Sequence, residues 1–400
     1  MSEGVEIVRL AARGDGVTAD GRFVLGAAVG DHVRFEGEVP IIIPGPGHVT
    51  PPCRHVPECG GCQLQHITDA AYADFVVERI SRVLGEMMPA DVAPVALSPA
   101  RSRRRASLRA VRRGGVLSIG FNAEASHTIV DMQQCEVILP ELFALIAPLR
   151  ALLRVALPEG QGAGITLTAT DSGVDVLLAN VQAQTLKQIE RLSAFAAAQD
   201  LARLCVEGAD GVETVVEARQ PMLAMGGVPV ALPPAPFLQA TREGEAALVA
   251  AVLAATTGAA RVADLFCGLG TFALPLSARA KVLAADAAGP AVASLGAAAR
   301  AHRRPIETAH RDLFRRPFTA AELAVFDAVV FDPPRAGATS QAAALAASKV
   351  ATVVAVSCNP NTFARDAKLL VEGGYTLTRL WPVAQFRWST HVELVAEFKR

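Results

Sequence analysis

The sequence lacks a long hydrophobic run, although its mean hydropathy is high at +0.33. Hydrophobic residues make up 51% of the chain, but no stretch reaches the ~18 unbroken apolar residues that a membrane-spanning helix needs. The longest one, Ala246 to Ala255, predicts a buried helix. The first residues, Met1 to Gly4, carry neither the basic nor the apolar segment of a signal peptide. We therefore expect a cytoplasmic protein with no membrane partner.

An excess of charge of one sign is also absent, because 38 basic residues face 39 acidic ones and the net charge is −1. Nucleic-acid-binding proteins are often basic, so the overall charge gives that function no support. One short segment without acidic residues nevertheless holds seven arginines: Arg101, Arg103, Arg104, Arg105, Arg109, Arg112 and Arg113. Such a cluster either neutralises several phosphates or forms a solvated cationic surface, and the sequence leaves both open.

Cysteine is sparse, and the count of seven is odd. Without an export signal this argues against a disulfide framework and favours metal binding or thiol chemistry. Cys53, Cys59 and Cys62 lie close together, with Gly60 and Gly61 between the last two, and Cys135 follows later. Four thiolates suit either zinc or an iron–sulfur cluster. A single C-x2-C pair is not the usual zinc-ribbon pattern.

The chain divides into three predicted domains, and the predicted fold class is α/β. Residues 1–47 carry short strands typical of a small OB-like β-barrel, a fold that commonly binds nucleic acid. Residues 48–225 form a central α+β domain, with a hairpin at 164–178 and a helix at 185–198. Residues 226–400 alternate strand and helix, which predicts a Rossmann-like parallel sheet. Its predicted strands are 262–266, 281–285, 326–331, 352–356 and a final one at 392–398.

A glycine-rich loop follows the first strand of the third domain. Gly268, Gly270 and Ala273 fit the pattern G-x-G-x-x-A, in which glycines permit a tight turn and close approach of a ligand. Asp286 ends the next predicted strand, near the distance at which an acid binds a ribose hydroxyl. This predicts an adenosine-type cofactor but does not choose between a dinucleotide and S-adenosylmethionine.

Three reactive side chains stand next to predicted strands. Asp332 and Cys358 each follow an apolar strand, at the edge of a parallel sheet where ligands bind. The predicted helix start after Cys358 can lower the thiol pKa and expose a thiolate. Glu393 begins the last apolar strand, where a carboxylate is costly to bury unless it is paired or functional.

In these segments the chain resembles the uracil-5 RNA methyltransferase family over nearly its whole length. The matching segments are 237–239, 264–272, 332–335, 357–360, 364–366 and 391–393. The resemblance implies a class I S-adenosylmethionine-dependent methyltransferase domain preceded by a TRAM-type barrel. Cys358 would be the nucleophile that adds to C6 of uracil, Glu393 the base that removes the C5 proton, and Asp332 the residue that orients the uracil. Residues that would hold the cofactor are Gln239, Phe266, Gly268, Gly270, Thr271, Asp286, Asp312 and Asp332.

The resemblance also implies a [4Fe-4S] cluster on Cys53, Cys59, Cys62 and Cys135, with the segment 134–138 matching that of the distal ligand. The implied substrate is a loop or single-stranded uridine, in 23S ribosomal RNA, bound by a monomer. A transfer RNA T-loop uridine, a non-catalytic RNA-binding protein of the same fold and an NAD-dependent oxidoreductase are the alternatives. The chain departs from the family where an acid and a Phe-Pro pair are usual, since Ala384, Phe386 and Arg387 stand there. Asp286 also replaces the more usual glutamate.

Overall fold

The computed structural model describes residues 4–400, and its first sheet confirms the short strands predicted near the N-terminus. The strands are β1 (Val5–Leu10), β2 (Gly16–Thr18), β3 (Phe23–Val24), β4 (His32–Glu36) and β5 (Val39–Ile43). They pair antiparallel in the spatial order β3-β2-β1-β4-β5. A small core of Ile7, Val24, Ala27 and Val33 holds the sheet together.

A second sheet of six strands occupies the middle of the chain. The elements there are α1 (Asp69–Leu84), β6 (Asp91–Val92), β7 (Ala96–Leu97), β8 (Arg105–Arg113), β9 (Val116–Gly120), α2 (Pro140–Ala144), α3 (Ile146–Ala156), β10 (Gly162–Thr170), β11 (Gly173–Ala179), α4 (Leu186–Ala198), β12 (Arg203–Gly208) and β13 (Gly211–Glu217). The sheet has the order β13-β12-β11-β10-β8-β9. The predicted hairpin is β10–β11, and the predicted helix is α4, which a capping box of Thr185 and Gln188 starts.

The rest of the chain alternates strands and helices. Its elements are β14 (Met222–Met225), β15 (Val228–Ala231), α5 (Arg242–Ala255), β16 (Arg261–Leu265), α6 (Ala273–Leu276), β17 (Lys281–Asp286), α7 (Gly289–Ala301), β18 (Ile306–His310), α8 (Ala320–Leu323), β19 (Ala328–Phe331), α9 (Thr339–Ala346), β20 (Thr352–Ser357), α10 (Pro360–Glu372), β21 (Thr376–Ala384) and β22 (Glu393–Lys399). The predicted strands are confirmed to within about two residues. Four strands were not predicted: β18, β21 and the separate pair of β14 and β15.

These strands build a third, nine-stranded sheet in the order β18-β17-β16-β19-β20-β22-β21-β6, with β7 also paired to β21. Strands β16 to β20 pair in parallel, and β22 runs antiparallel between β20 and β21. The central strands are buried on both faces, which explains their continuous Val and Ala runs. One core packs α1, α9 and α10 on one face, and another packs α5, α6 and α7 on the other. The predicted α/β class is confirmed.

Residues 69–97 join this third sheet although they precede the second one in the chain. Helix α1 is amphipathic, and its buried stripe of Tyr72, Phe75, Val76 and Ile80 lies in the core shared with α10. Strand β6 pairs with β21 in parallel. The domain boundaries at 47/48 and 225/226 therefore stay predictions, because part of the central segment packs against the C-terminal sheet. Among residues 4–400, no helix is both long and apolar enough to cross a membrane.

Candidate functional site

The glycine-rich loop lies between β16 and α6 and is fixed to the neighbouring strand β17. The backbone N–H groups of Phe266 and Cys267 donate to the Ala285 carbonyl at 2.8 and 3.2 Å. Asp286 Oδ2 accepts a hydrogen bond from Gly268 N at 2.9 Å, so the acid closes the loop from its other side. Phe266 itself has a φ of +63°, an uncommon value for a residue with a side chain.

Two glycines of this loop have different reasons to lack a side chain. A Cβ on Gly268 (φ +51°) would meet nothing within 4 Å, so this position borders open space. A Cβ on Gly270 (φ +93°) would lie 2.4 Å from Leu295 Cδ1, so glycine lets α7 pack against the loop. The first glycine leaves room beside the backbone, and the second holds the helix close.

Asp264, in β16 just before the loop, is fully buried. Neither of its carboxylate oxygens has a hydrogen-bond partner among residues 4–400. Burial and the neighbouring Asp332 raise its pKa well above the usual range. A buried carboxyl group that lacks a close donor is costly in free energy, and the backbone of Ala273 only opposes the rise in its pKa.

The remaining predicted cofactor residues surround the same loop. Thr271 is half-buried within it. The Phe266 ring packs against Phe314 with 5.5 Å between centroids. Asp312 Oδ1 accepts from the backbone N–H groups of Phe314 and Arg315 at 3.0 and 3.1 Å, which fixes the turn after β18. Gln239 is buried, and its Oε1 accepts a hydrogen bond from Gln385 Nε2 at 2.6 Å.

Cys358 lies half-buried at the end of β20, before Asn359, which caps α10. Asn359 Nδ2 and Thr362 Oγ1 both donate to the Arg335 carbonyl at 3.1 Å. These bonds tie the loop that follows Asp332 to the start of α10. Burial raises the pKa of the Cys358 thiol to about 11, Glu393 and Asp332 add to the rise, and Arg335 opposes it. The prediction of a lowered thiol pKa is therefore wrong, because burial and two carboxyl groups outweigh the helix start.

Two carboxyl groups lie at the same edge of the sheet as Cys358. We call the group of Asp332, Cys358 and Glu393 the catalytic edge, after the role that the sequence predicts for it. Asp332 follows β19, and burial together with Asp286 raises its pKa to about 7. Glu393 begins β22 and is 5% exposed. Burial and Asp332 raise the pKa of Glu393 to about 8, against a hydrogen bond from Gln385 that lowers it. Each group thus disfavours the negative charge of another, which poises the edge for proton transfer near neutral pH.

Gln385 joins the two predicted sites. Its Oε1 accepts from Ala240 N at 2.7 Å, which fixes the orientation of the side-chain amide. Its Nε2 group then donates to Glu393 Oε2 and to Gln239 Oε1. The side chain is 2% exposed, and no sequence motif pointed to it.

The four cysteines predicted to bind metal, Cys53, Cys59, Cys62 and Cys135, line one cavity together, and none forms a disulfide. Burial raises the pKa of Cys62 to about 12, and the other three thiols add to the rise. The thiol pKa values of Cys59 and Cys135 are raised mainly by burial as well. Across residues 4–400, however, no set of three or more His, Cys, Asp or Glu side chains is arranged to hold a metal ion. The geometry therefore brings the thiols together but does not itself support the predicted metal site.

The arginine-rich segment does not form one surface, so neither alternative holds for all of it. Arg104 is buried and pairs with Glu245 at 2.5 Å. Arg112 donates to the carbonyl oxygens of Arg154 and Leu157. Residues alternate between the two faces along β8, and Arg109 and Arg113 are exposed. Part of the predicted cationic surface is thus structural.

Comparison with known proteins identifies the family of this chain. The family model described as tRNA (Uracil-5-)-methyltransferase matches residues 306–399. An uncharacterized RNA methyltransferase of Zymomonas mobilis is 43% identical and covers 99% of both chains. A 23S rRNA (uracil(1939)-C(5))-methyltransferase of Pseudomonas putida is 34% identical over 99% of this chain and 93% of its own. The chain belongs to the uracil-5 RNA methyltransferase family.

The fold of this methyltransferase matches a solved structure along its whole length. The tRNA (uracil-54, C5)-methyltransferase of Pyrococcus abyssi, solved with S-adenosyl-L-homocysteine, superposes with a TM-score of 0.76 at 23% identity and covers 99% of both chains. The C-terminal α/β sheet is thus a class I methyltransferase fold. As a member of its family, the enzyme transfers a methyl group from S-adenosylmethionine to carbon 5 of uracil in RNA.

Sequence reasoning missed three side chains that this site brings together. Asp264 stands in the cofactor motif, and its lack of a partner became visible only with the fold. Gln385 lies in the segment that departs from the family pattern. Arg335, in the matched segment 332–335, has its Nη2 atom 2.9 Å from both ring nitrogens of His391. Only the tertiary structure shows that the three border the catalytic edge of the methyltransferase.

Proposed function

We propose that the enzyme methylates C5 of one uridine in 23S ribosomal RNA through a covalent bond between Cys358 and C6. The observation that carries the mechanism is the electrostatic coupling of Cys358 to both Glu393 and Asp332 at one edge of the sheet. A nucleophile and two carboxyl groups with pKa values near neutrality are what addition and proton abstraction require. The Pseudomonas putida relative favours ribosomal RNA.

The proposed reaction begins with Cys358. Its thiolate adds to C6 of uracil, and the electron pair of the C5–C6 double bond moves toward C5 and O4. The pKa of this thiol is about 11, so the thiolate needs stabilisation. The positive charge of Arg335 favours the thiolate. Asp332 accepts a hydrogen bond from the uracil ring and orients it. The base must leave its stack to reach Cys358, which suits a loop or splayed strand.

Glu393 completes the cycle. Once C5 carries the methyl group, the Glu393 carboxylate removes the C5 proton, the double bond re-forms, and the Cys358 thiolate is expelled. The pKa of about 8 places this carboxyl group near the working pH of a general base. Gln385 donates to one oxygen of Glu393, which leaves the other oxygen to accept the proton.

The residues around the glycine-rich loop fit S-adenosylmethionine, which supplies the methyl group on a positively charged sulfur when it is bound. Gly268 leaves space beside the backbone, and Asp264 offers two carboxylate oxygens without a donor. Asp286 and Asp332 add negative charge that favours a cationic ligand. We assign binding to Gln239, Phe266, Gly268, Gly270, Thr271, Asp286, Asp312 and Asp332.

We also propose that Cys53, Cys59, Cys62 and Cys135 hold a [4Fe-4S] cluster. The support is the donor set itself: four thiols line one cavity, and the other three raise the pKa of Cys62, so thiolates there need a positive group between them. Gly60 lets the cysteine loop lie close to the neighbouring backbone, because a Cβ there would lie 3.0 Å from the Asn122 carbonyl oxygen. Methyl transfer is not a redox reaction and needs no electron from a cluster. The cluster would therefore hold the cysteine loop in place and take no part in the chemistry.

The second candidate substrate is a transfer RNA uridine. The family model that matches residues 306–399 is described by that activity, and this segment contains all three residues of the catalytic edge. The segment does not include the four cysteines. The mechanism is the same for either RNA, so only the substrate distinguishes the two.

The test is methyl transfer from labelled S-adenosylmethionine by anaerobically purified enzyme, with unmodified ribosomal RNA and transfer RNA in separate reactions. We expect label on C5 of a 23S uridine with the wild type and none with Cys358→Ala. Cys205→Ala is the matched control, because Cys205 is buried away from the catalytic edge and its loss should leave the rate unchanged. Label in transfer RNA alone would change the substrate, and no label in either would favour a binding protein.

A further inference from the structure

Three arginines from distant parts of the chain lower the pKa of His391, and direct contacts place two of them, Arg103 and Arg335, beside the ring pair of Phe386 and His391 at the mouth of the catalytic edge. Arg335 Nη2 lies 2.9 Å from both ring nitrogens of His391. The His391 ring packs edge-on against the Phe386 ring, with 5.9 Å between their centroids. The guanidinium carbon of Arg103 lies over the Phe386 ring, 5.5 Å from its centroid. Arg79 belongs to α1, whose Tyr72 hydroxyl donates to the Phe386 carbonyl at 3.0 Å. We call Arg79, Arg103 and Arg335 the arginine triad.

The triad has no anionic partner among residues 4–400, since no carboxylate lies within ion-pair distance of any of its members. The Arg79 Nε atom is buried and makes no hydrogen bond in this part of the chain. The three positive charges also act together on His391. Burial lowers the pKa of this histidine, and the triad lowers it further. The imidazole is therefore neutral near pH 7 and adds no charge of its own.

Several arginines elsewhere in the enzyme are paired with a carboxylate. Bidentate or close carboxylate partners hold five of them: Arg101 with Glu136, Arg104 with Glu245, Arg203 with Asp175, Arg311 with Glu322 and Arg387 with Asp69. Gathering three cations at one place without a counter-ion costs free energy, and burial of Arg79 and Arg103 increases the cost. Such an arrangement persists where an anion is bound in the working state.

We propose that the arginine triad binds the backbone phosphates that flank the target uridine. The inference rests on the proposed function and adds the place where the RNA backbone is held. Arg335 is near enough to Cys358 to oppose the rise of its thiol pKa, so a phosphate on the triad lies beside the pocket that receives the base. An extruded base needs its backbone fixed on the outside, and guanidinium groups bind phosphate through several donors at once.

The test measures the affinity of a 23S ribosomal RNA transcript by filter binding over a range of salt concentrations, with S-adenosylhomocysteine present. Arg79→Gln and Arg103→Gln should each weaken binding roughly tenfold at low salt. Each should also reduce the slope of log Kd against log salt by about 0.7, the value for one phosphate contact on a single strand. The KM for RNA should rise while kcat at saturating RNA stays within about twofold of wild type.

The matched controls separate charge from fold. Arg79→Lys and Arg103→Lys keep the positive charge and should retain most of the salt slope. Arg113→Gln removes an exposed arginine at the far end of β8 and should change neither slope nor KM. Unchanged affinity in both triad variants, or an equal loss in Arg113→Gln, would overturn the proposal. The assay measures binding without methyl transfer, so it also tests the choice of RNA. If ribosomal RNA is not the substrate, the wild type itself will bind it weakly. The assay is then run with the RNA that the wild type methylates.

Discussion

Cys358, Asp332 and Glu393 stand at the ends of the adjoining strands β20, β19 and β22, whereas Cys53, Cys59, Cys62 and Cys135 all lie on loops. In the first region, ladders of backbone hydrogen bonds between neighbouring strands fix the side chains. In the second, single contacts such as Cys53 N to Gln65 Oε1 and Gly60 N to Asn122 O hold the loop. A sheet edge keeps its geometry by itself, but a loop of this kind depends on what binds inside it.

The two regions are nevertheless in contact. The backbone N–H groups of Gln63 and Leu64, next to Cys62, both donate to the Trp388 carbonyl at 2.9 Å. Trp388 lies in the loop that leads into Glu393, and the Tyr72 hydroxyl donates to Phe386 and Ser389 carbonyls of the same loop. The cysteine loop is therefore tied to the backbone that leads into Glu393, whereas the side chain of Glu393 bonds Gln385 and not the cysteine loop.

The largest effect is expected from Glu393→Gln. Without the carboxylate the C5 proton cannot leave, so methylated product should form about a thousandfold more slowly. Addition of Cys358 to C6 precedes that step, and a denaturation-resistant RNA–protein adduct should accumulate, visible on denaturing gels.

Two further measurements test whether Glu393→Gln affects the catalytic edge alone. The iron content and thermal midpoint of Glu393→Gln should equal those of the wild type, because the cysteine loop does not rest on Glu393. The adduct should vanish in the double variant with Cys358→Ala. Normal product formation by Glu393→Gln would remove this residue from its proposed role.

The reverse change, Cys135→Ser, is expected to affect both regions. Loss of one ligand should empty the proposed cluster and cost at least about 2 kcal/mol of stability, since even outer-shell partners of a metal contribute 10–100-fold in affinity. Iron analysis and chemical denaturation measure this loss. The methylation rate should fall as well, through the Trp388 contact. Cys205→Ser is the control for a buried thiol outside the site, and equal losses in both variants would argue against a cluster.

The contrast also explains what the sequence could predict. The strands that lead to Asp332 and Cys358 are continuous apolar runs, and a parallel sheet places the ends of such strands together. The pattern of apolar residues was therefore enough to predict that these two side chains lie at one edge. Gln385 could not be found in this way, because its contacts with Ala240 and Glu393 join parts of the chain 145 and 8 residues apart. The direction of the Cys358 pKa was missed for a related reason, since burial is a property of the folded chain.

A smaller effect is expected from Gln385→Met at the catalytic edge. Its amide donates to the Glu393 carboxylate and lowers a pKa that burial has raised to about 8. Removing the donor destabilises the carboxylate, so the pKa of Glu393 rises. The low-pH limb of the rate profile should then move upward by about one unit, which corresponds to a hydrogen bond of about 1.4 kcal/mol.

The pH profile separates this role from simple damage to the fold. A destabilised enzyme would lose rate equally at all pH values, whereas Gln385→Met should recover toward the wild-type rate at high pH. Affinity for S-adenosylmethionine is measured in parallel, because Gln239 also loses a partner. A profile that keeps its wild-type midpoint would show that Gln385 does not act on Glu393.

The smallest predicted effect compares two helix caps, one beside the catalytic edge and one outside both regions. Asn359 caps α10 next to Cys358 and also donates to Arg335, while Thr185 caps α4 far from any strand of the catalytic edge. Replacing either cap by alanine should cost about 1 kcal/mol of stability, measured by denaturant unfolding. Only Asn359→Ala should also slow methylation, because the loop of Asp332 and Arg335 loses its tie to α10. Equal rates in the two variants would mean that the sheet alone, without the cap, positions the catalytic edge.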